Sequence, residues 1–185
     1  MARDLDVLFC GINPGLYTAA IGHHFGRPGN RFWKVLHLAG FTPRVLSPFE
    51  ERELLMHGCG VTNIVNYATA RADELSDDDL RRGADRLRRT VRRWKPRVLA
   101  ILGMDAYRVA FGKRRVAVGR QEERIGDADV WVLPNTSGLQ ASYQLADLVR
   151  LFAEVRRAAA PSGQRSRSAR RARGPRAPTA RARRR

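Results

Sequence analysis

Val7-Leu8-Phe9-Cys10-Gly11-Ile12-Asn13-Pro14-Gly15 is an apolar run that stops abruptly in a turn. It reads as a buried strand followed by conformationally special residues. Val98-Leu99-Ala100-Ile101-Leu102-Gly103 is a second and clearer case. Val130-Trp131-Val132-Leu133, broken by Pro134, is a third. Val61-Thr62-Asn63-Ile64-Val65 is also strand-like.

Helical patterns fall between these runs. Asn30 is placed to cap a helix from Arg31 to Ala39, with Gly40 at its end. Ser47-Pro48 opens another, with Glu50, Glu51 and Glu53 near its N-terminus. Ser76 precedes Asp77-Asp78-Asp79 and a long amphipathic stretch through Leu80, Leu87, Val91 and Trp94, closed by Pro96. A further helix is expected over 104–111, and a last one from about Ser142 to Ala158. Residues 16–30, rich in Gly and with paired His, read as a structured loop. Strands alternating with helices predict a three-layer α/β/α fold around a central, mostly parallel sheet.

The 185 residues fit one domain, expected over 1–160. Residues 161–185 hold ten Arg and no acidic residue, and are expected to be a disordered basic tail. Setting them aside leaves 25 basic against 18 acidic side chains, so the folded part is itself basic, at +7. A basic surface suits a polyanion, because each neutralised phosphate releases counterions. Composition offers a second explanation. Only Lys34, Lys95 and Lys113 are Lys, as an Arg-favouring genome would give. Cys10 and Cys59 are too few for a disulfide framework or a four-cysteine metal site, and read as buried small hydrophobes. No usual metal-ligand spacing occurs, so no metal or cofactor is expected. The start has no signal-peptide pattern, and no apolar run approaches the roughly 20 residues needed to span a bilayer. A cytoplasmic location and no membrane partner are expected.

Ligands of open α/β sheets bind beyond the carboxyl ends of the strands. Two unusual turns are expected there: Gly11-Ile12-Asn13-Pro14-Gly15 and Asn135-Thr136-Ser137-Gly138-Leu139. The first lacks the glycine spacing and the Gly-Lys-Ser/Thr ending of phosphate loops. From the residues alone, a plain structural turn is an equal reading, and Asn13 is a turn asparagine satisfying its own backbone.

In order, Phe9-Cys10-Gly11-Ile12-Asn13-Pro14-Gly15-Leu16, Gly22-His23-His24-Phe25, Pro28-Gly29-Asn30-Arg31-Phe32-Trp33-Lys34, Gly60-Val61-Thr62-Asn63-Ile64-Val65, Leu99-Ala100-Ile101-Leu102-Gly103 and Leu133-Pro134-Asn135-Thr136-Ser137-Gly138-Leu139 resemble the mismatch-specific uracil/thymine-DNA glycosylases. The likeness covers about residues 7–157. The Gly-His-His-aromatic stretch is closer to the thymine-DNA branch, and the Ser-Gly-Leu stretch to the bacterial mismatch-uracil branch.

The resemblance implies a fold of the uracil-DNA glycosylase kind and hydrolysis of the N-glycosidic bond of uracil mispaired with guanine. It implies a monomer acting on duplex DNA with a G·U or G·T mismatch, in a bacterial cytoplasm at the nucleoid. Such an enzyme must flip the base out of the stack at a cost of a few kcal/mol, which a mismatch lowers. Asn13 is the implied catalytic residue, its amide oxygen orienting water rather than abstracting a proton. Phe25 would stack on the base, a contact worth about 1–3 kcal/mol. Backbone N–H groups near Ile12 and Phe25 would stabilise charge on the departing pyrimidine. His24 would tune substrate choice or polarise the base; loop histidines are as often surface hydrogen-bonding groups. Asn135 and Ser137 would contact the DNA backbone, Gly138 and Gln140 the widowed guanine, and Leu139 would fill the vacated stack.

Two positions depart from the family. Thr136 stands where Pro is common, which puts the stiffness of the second turn in doubt. Tyr67 stands where Arg is frequent. No carboxylate lies between Gly11 and Phe49, so a carboxylate-activated water in the first motif is excluded. Two other readings stay open at this point: a noncatalytic damaged-DNA or abasic-site binding protein on the same fold, and a nucleotide-binding enzyme. The tail is either a nonspecific DNA tether or a solubilising extension.

Overall fold

The computed structural model describes residues 2–138 and 142–160. The expectations on Leu139, Gln140 and the tail 161–185 lie outside the described residues. Five strands form one sheet: β1 (Val7–Gly11), β2 (Cys59–Asn63), β3 (Val98–Leu102), β4 (Gly119–Ile125) and β5 (Ala128–Leu133). Their order is β2-β1-β3-β5-β4. All neighbours pair parallel except β4 with β5, which pair antiparallel. The α helices are α1 (Leu16–Ile21), α2 (Phe32–Leu38), α3 (Asp77–Trp94), α4 (Met104–Ala110) and α5 (Leu145–Ala159).

Side chains alternate across a strand, and both faces of this sheet are covered. Val7, Phe9, Val98, Ala100 and Leu102 point into one core with Phe32, Leu36, Leu148 and Phe152 of α2 and α5. Leu8, Cys10, Leu99 and Ile101 point into the other, with Leu87, Val91 and Tyr107 of α3 and α4. This is the expected three-layer α/β/α arrangement around a mostly parallel sheet. Both cysteines are buried, and burial pushes the Cys59 thiol up to about 12 and Cys10 higher still.

Four local expectations need correction. Residues 16–30 are not all loop, because Leu16–Ile21 form α1, ended by Gly22 in the left-handed region. The stretch after Ser47 is a 3-10 helix, Pro48–His57, opened by a Ser47–Glu50 capping box. The second strand is Cys59–Asn63, so Ile64 and Val65 lie beyond it, although both are buried. The edge strand β4 has no counterpart among the expected strands. The N-cap of α2 is Arg31 rather than Asn30, because the helix starts at Phe32, one residue later than expected; Asn30 Oδ1 still accepts from the Phe32 N–H at 3.0 Å.

Phe152 stacks on Phe9 at 5.5 Å between centroids and is fully buried. Phe152→Ala is expected to cost about 3–5 kcal/mol in chemical denaturation. A loss below about 1 kcal/mol would mean that this layer repacks freely.

Candidate active site

Parallel pairing brings the ends of β1, β2, β3 and β5 to one edge of the sheet. The turn after β1 is fastened there by the chain that follows β2. Ile64 N donates to Gly11 O at 2.9 Å and Val65 N to Ile12 O at 2.8 Å. Gly15 bridges to Thr69. Ile12 lies against Gly103 at the end of β3, where a Cβ would stand 2.9 Å from Ile12 Cδ1.

Asn13 does not spend its side chain only on its own turn. Its Nδ2 donates to Thr69 Oγ1 at 2.7 Å, and at longer range to Pro14 O (3.2 Å) and Tyr67 O (3.4 Å). The Thr69 hydroxyl donates its one proton to Arg71 O at 2.6 Å. It can therefore only accept from Asn13. This fixes the amide orientation: NH2 toward Thr69, carbonyl oxygen away from it. No protein donor among the described residues takes Asn13 Oδ1, so an acceptor is left at the strand-end edge.

Beside it, Gly11 is approached from two sides. A Cβ on Gly11 would meet Asn63 Oδ1 at 2.5 Å and the Phe25 ring at 3.2 Å. Gly11 thus lets an amide and an aromatic edge close on the same backbone. The Phe25 ring stacks on Phe32 at 3.9 Å with planes 23° apart, and Phe32 sits edge-on to Phe9. The aromatic face is anchored to the core through two rings. Phe25 has φ 54°, a left-handed conformation that a bulky side chain rarely adopts. Such strain persists where surrounding contacts over-determine it, and it gathers at functional sites. The residue before it, His24, gives both its backbone N–H (2.8 Å) and its Nδ1 (3.1 Å) to Glu51 Oε2.

The second turn is held by the loop that leads into α2. Arg31 N donates to Thr136 O at 3.0 Å, while its guanidinium reaches Tyr143 O (2.7 Å) and Ser137 O (3.2 Å). Thr136 is fully buried, and its hydroxyl donates to Asn30 Oδ1 at 2.9 Å. Hydrogen bonds on both sides therefore stiffen this position without proline. Asn135 Oδ1 accepts from Ser137 N at 2.9 Å, so its amide oxygen shapes the turn. Gly138 packs on the loop: a Cβ there would stand 2.9 Å from Gly29 O. Tyr67 is exposed and hydrogen-bonds Asp79 at the start of α3. Bonds from Ser76, Tyr67 and Arg82 hold the Asp79 carboxyl well below the usual carboxylate range.

Asn13, Ile12, Phe25 and His24 thus meet at one end of the sheet, and Asn135, Ser137 and Gly138 form a turn pinned to the same loop. Asn63, Thr69 and Glu51 join them without having been singled out as site residues. Asn63 carried a signal, since it ends a strand beside the first turn. Thr69 and Glu51 are 56 and 27 residues from the partners they hold, and no local pattern marks them. Among the described residues, no group of three His, Cys, Asp or Glu is placed to share a metal ion.

The strand-end edge thus carries an amide oxygen without a protein donor among the described residues, an aromatic ring held against the core and, on the same loop, a pinned second turn. The family model of the Uracil DNA glycosylase superfamily matches residues 1–158, and the chain belongs to that superfamily. It is a DNA glycosylase, a DNA-repair hydrolase that acts on uracil.

Thr69→Val removes the hydroxyl that accepts from Asn13 and donates to Arg71 O, and Thr69→Ser keeps it. Losing one neutral hydrogen bond's worth of orientation, about 0.5–1.5 kcal/mol, should slow uracil excision by roughly two- to twelvefold in the Val variant. The Ser variant should stay near the wild-type rate. Equal single-turnover rates in all three proteins would separate Thr69 from the chemistry.

Proposed function

We propose that the chain is a monofunctional glycosylase for uracil mispaired with guanine, with thymine and other damaged pyrimidines as further substrates. It acts as a monomer on duplex DNA through its domain 1–160 and leaves an abasic site. The observation that carries this reading is the Asn13 amide, turned by Thr69 so that its carbonyl oxygen is the available end.

In this reading the everted pyrimidine lies against Phe25 beside Gly11 and Asn63. Asn13 Oδ1 accepts a hydrogen bond from water and holds it for attack on the sugar carbon, opposite the departing base. An amide takes up no proton at neutral pH, so its contribution is orientation. The reaction then leans on the leaving group. As the glycosidic bond breaks, the electron pair goes to the pyrimidine, and N–H groups near Ile12 and Phe25 meet that charge. Excision is slow for that reason and favours bases that carry negative charge well.

Leu139 follows Gly138, whose backbone packs on Gly29. An apolar side chain launched from a braced turn is suited to fill the gap left by the base. Gly138 and Gln140 face the widowed guanine, and Asn135 and Ser137 the flanking backbone. The basic balance of residues 1–160 supports the phosphate contacts.

Incubation with a duplex holding one G·U pair, followed by hot alkali, should cut the strand at the uracil. Asn13→Ala should bind that duplex normally yet cleave at least about a hundredfold more slowly. Intact strands with the wild-type protein would refute the reading, and wild-type turnover in the variant would remove Asn13 from the mechanism. Leu139→Ala should lose far more activity on the G·U duplex than on single-stranded uracil DNA; equal losses on both would reject the wedge.

A further inference from the structure

The strained backbone at Phe25 needs a restraint on each side. Downstream, the ring is held by Phe32. Upstream, the restraint comes from a carboxylate outside both signature turns. Glu51 Oε2 accepts from the His24 backbone N–H and lies 3.1 Å from His24 Nδ1. Glu51 Oε1 lies 3.8 Å from His23 Nδ1, a buried nitrogen with no hydrogen-bond partner. The His23 ring also meets Phe49 edge-on at 4.9 Å. One carboxylate thus faces both imidazoles and one backbone donor of the loop that carries Phe25.

The helix that presents Glu51 is itself braced. Pro48 and the Ser47–Glu50 capping box fix its start. Arg44 pairs with Glu50 at 2.9 Å and Glu53 at 2.6 Å, so the glutamates on either side are engaged elsewhere. Glu51 is four-fifths buried and turns toward the loop.

We propose that Glu51 is a positioning residue for the base-binding loop: its carboxylate clamps His24, sets which ring nitrogen of His24 carries the proton, and so holds Phe25 in its left-handed conformation. This rests on the glycosylase reading for its effect on catalysis. The clamp itself does not depend on that reading. A carboxylate only accepts, so Nδ1 must be the protonated ring nitrogen that faces it. In the neutral ring Nε2 is then an acceptor, presented from the residue next to Phe25. Without Glu51 the loop loses the acceptor for two His24 donors, and Phe25 can relax toward ordinary backbone angles.

The test uses the full chain and two variants. One-bond and long-range nitrogen–proton spectra at about pH 8.5, where an ordinary imidazole is neutral, report the His24 tautomer without DNA. The wild type should show Nδ1–H, and Glu51→Ala should shift toward Nε2–H. Single-turnover excision from a G·U duplex should fall about tenfold or more in Glu51→Ala, as expected for losing hydrogen bonds to a charged group. Affinity for abasic duplex should stay within about twofold. Glu51→Gln keeps an oxygen for the same two His24 contacts, and should recover to within about threefold of wild type. An Nε2–H tautomer in the wild type, wild-type excision in Glu51→Ala, or a Gln variant as slow as the Ala variant would each overturn the proposal. A wild-type protein inert on uracil DNA but with His24 protonated at Nδ1 would count against the glycosylase reading and leave the clamp standing.

Discussion

The four parallel strands β1, β2, β3 and β5 end on the same edge of the sheet, and everything proposed for this protein depends on that constraint. The register of β1 against β2 and β3 sets Gly11 beside Asn63 and Cys10 beside Ile101. The register of β3 against β5 sets Leu102 beside Leu133. Segments far apart in sequence therefore emerge within a few strand spacings of about 4.8 Å. Buried aliphatic side chains on both faces make the register costly to shift, because a one-residue slip would turn every side chain to the other core. The site inherits its geometry from that rigidity. Loops alone would not hold an amide oxygen, an aromatic face and the second turn at one end of the sheet.

The loops are then locked by polar groups whose roles are dictated by what else they do. Thr69 has one proton and gives it to Arg71, so Asn13 must donate to it. Arg31 spends its donors on three carbonyls around the second turn, which ties that turn to the start of α2. Asn30 Oδ1 accepts from both the first N–H of α2 and the Thr136 hydroxyl. Each of these contacts is worth little alone, about 0.5–1.5 kcal/mol. Together they fix the first turn against the chain after β2 and the second against the loop before α2.

Apolar runs made the buried strands easy to read, because a strand covered on both faces is apolar at nearly every position. The same logic hid β4. Gly119-Arg120-Gln121-Glu122-Glu123-Arg124-Ile125 lies on an edge and is charged along its exposed face, as suits an edge that must not pair with other chains. The long helix α3 announced itself through Ser76 and three Asp, whereas the six-residue α1 has no acidic first turn and no side-chain cap. At the site, Asn13 and Phe25 came from residues matched in order to a family. Thr69 and Glu51 were not legible, since each acts through a partner that only folding brings near. Thr136 shows the limit of reading one position alone. The missing proline suggested a looser turn, and a buried hydroxyl bonded to Asn30 supplies the stiffness instead.

The central claim is that the Asn13 carbonyl oxygen holds water against the sugar of an everted pyrimidine. It is tested most directly by a crystal structure with a duplex carrying a hydrolysis-resistant 2′-fluorinated deoxyuridine opposite guanine. Uracil is expected against Phe25, with a water between Asn13 Oδ1 and the anomeric carbon and Leu139 in the emptied stack. A uracil bound in the pocket with its anomeric carbon turned away from Asn13, or with the water held by another side chain, would contradict it.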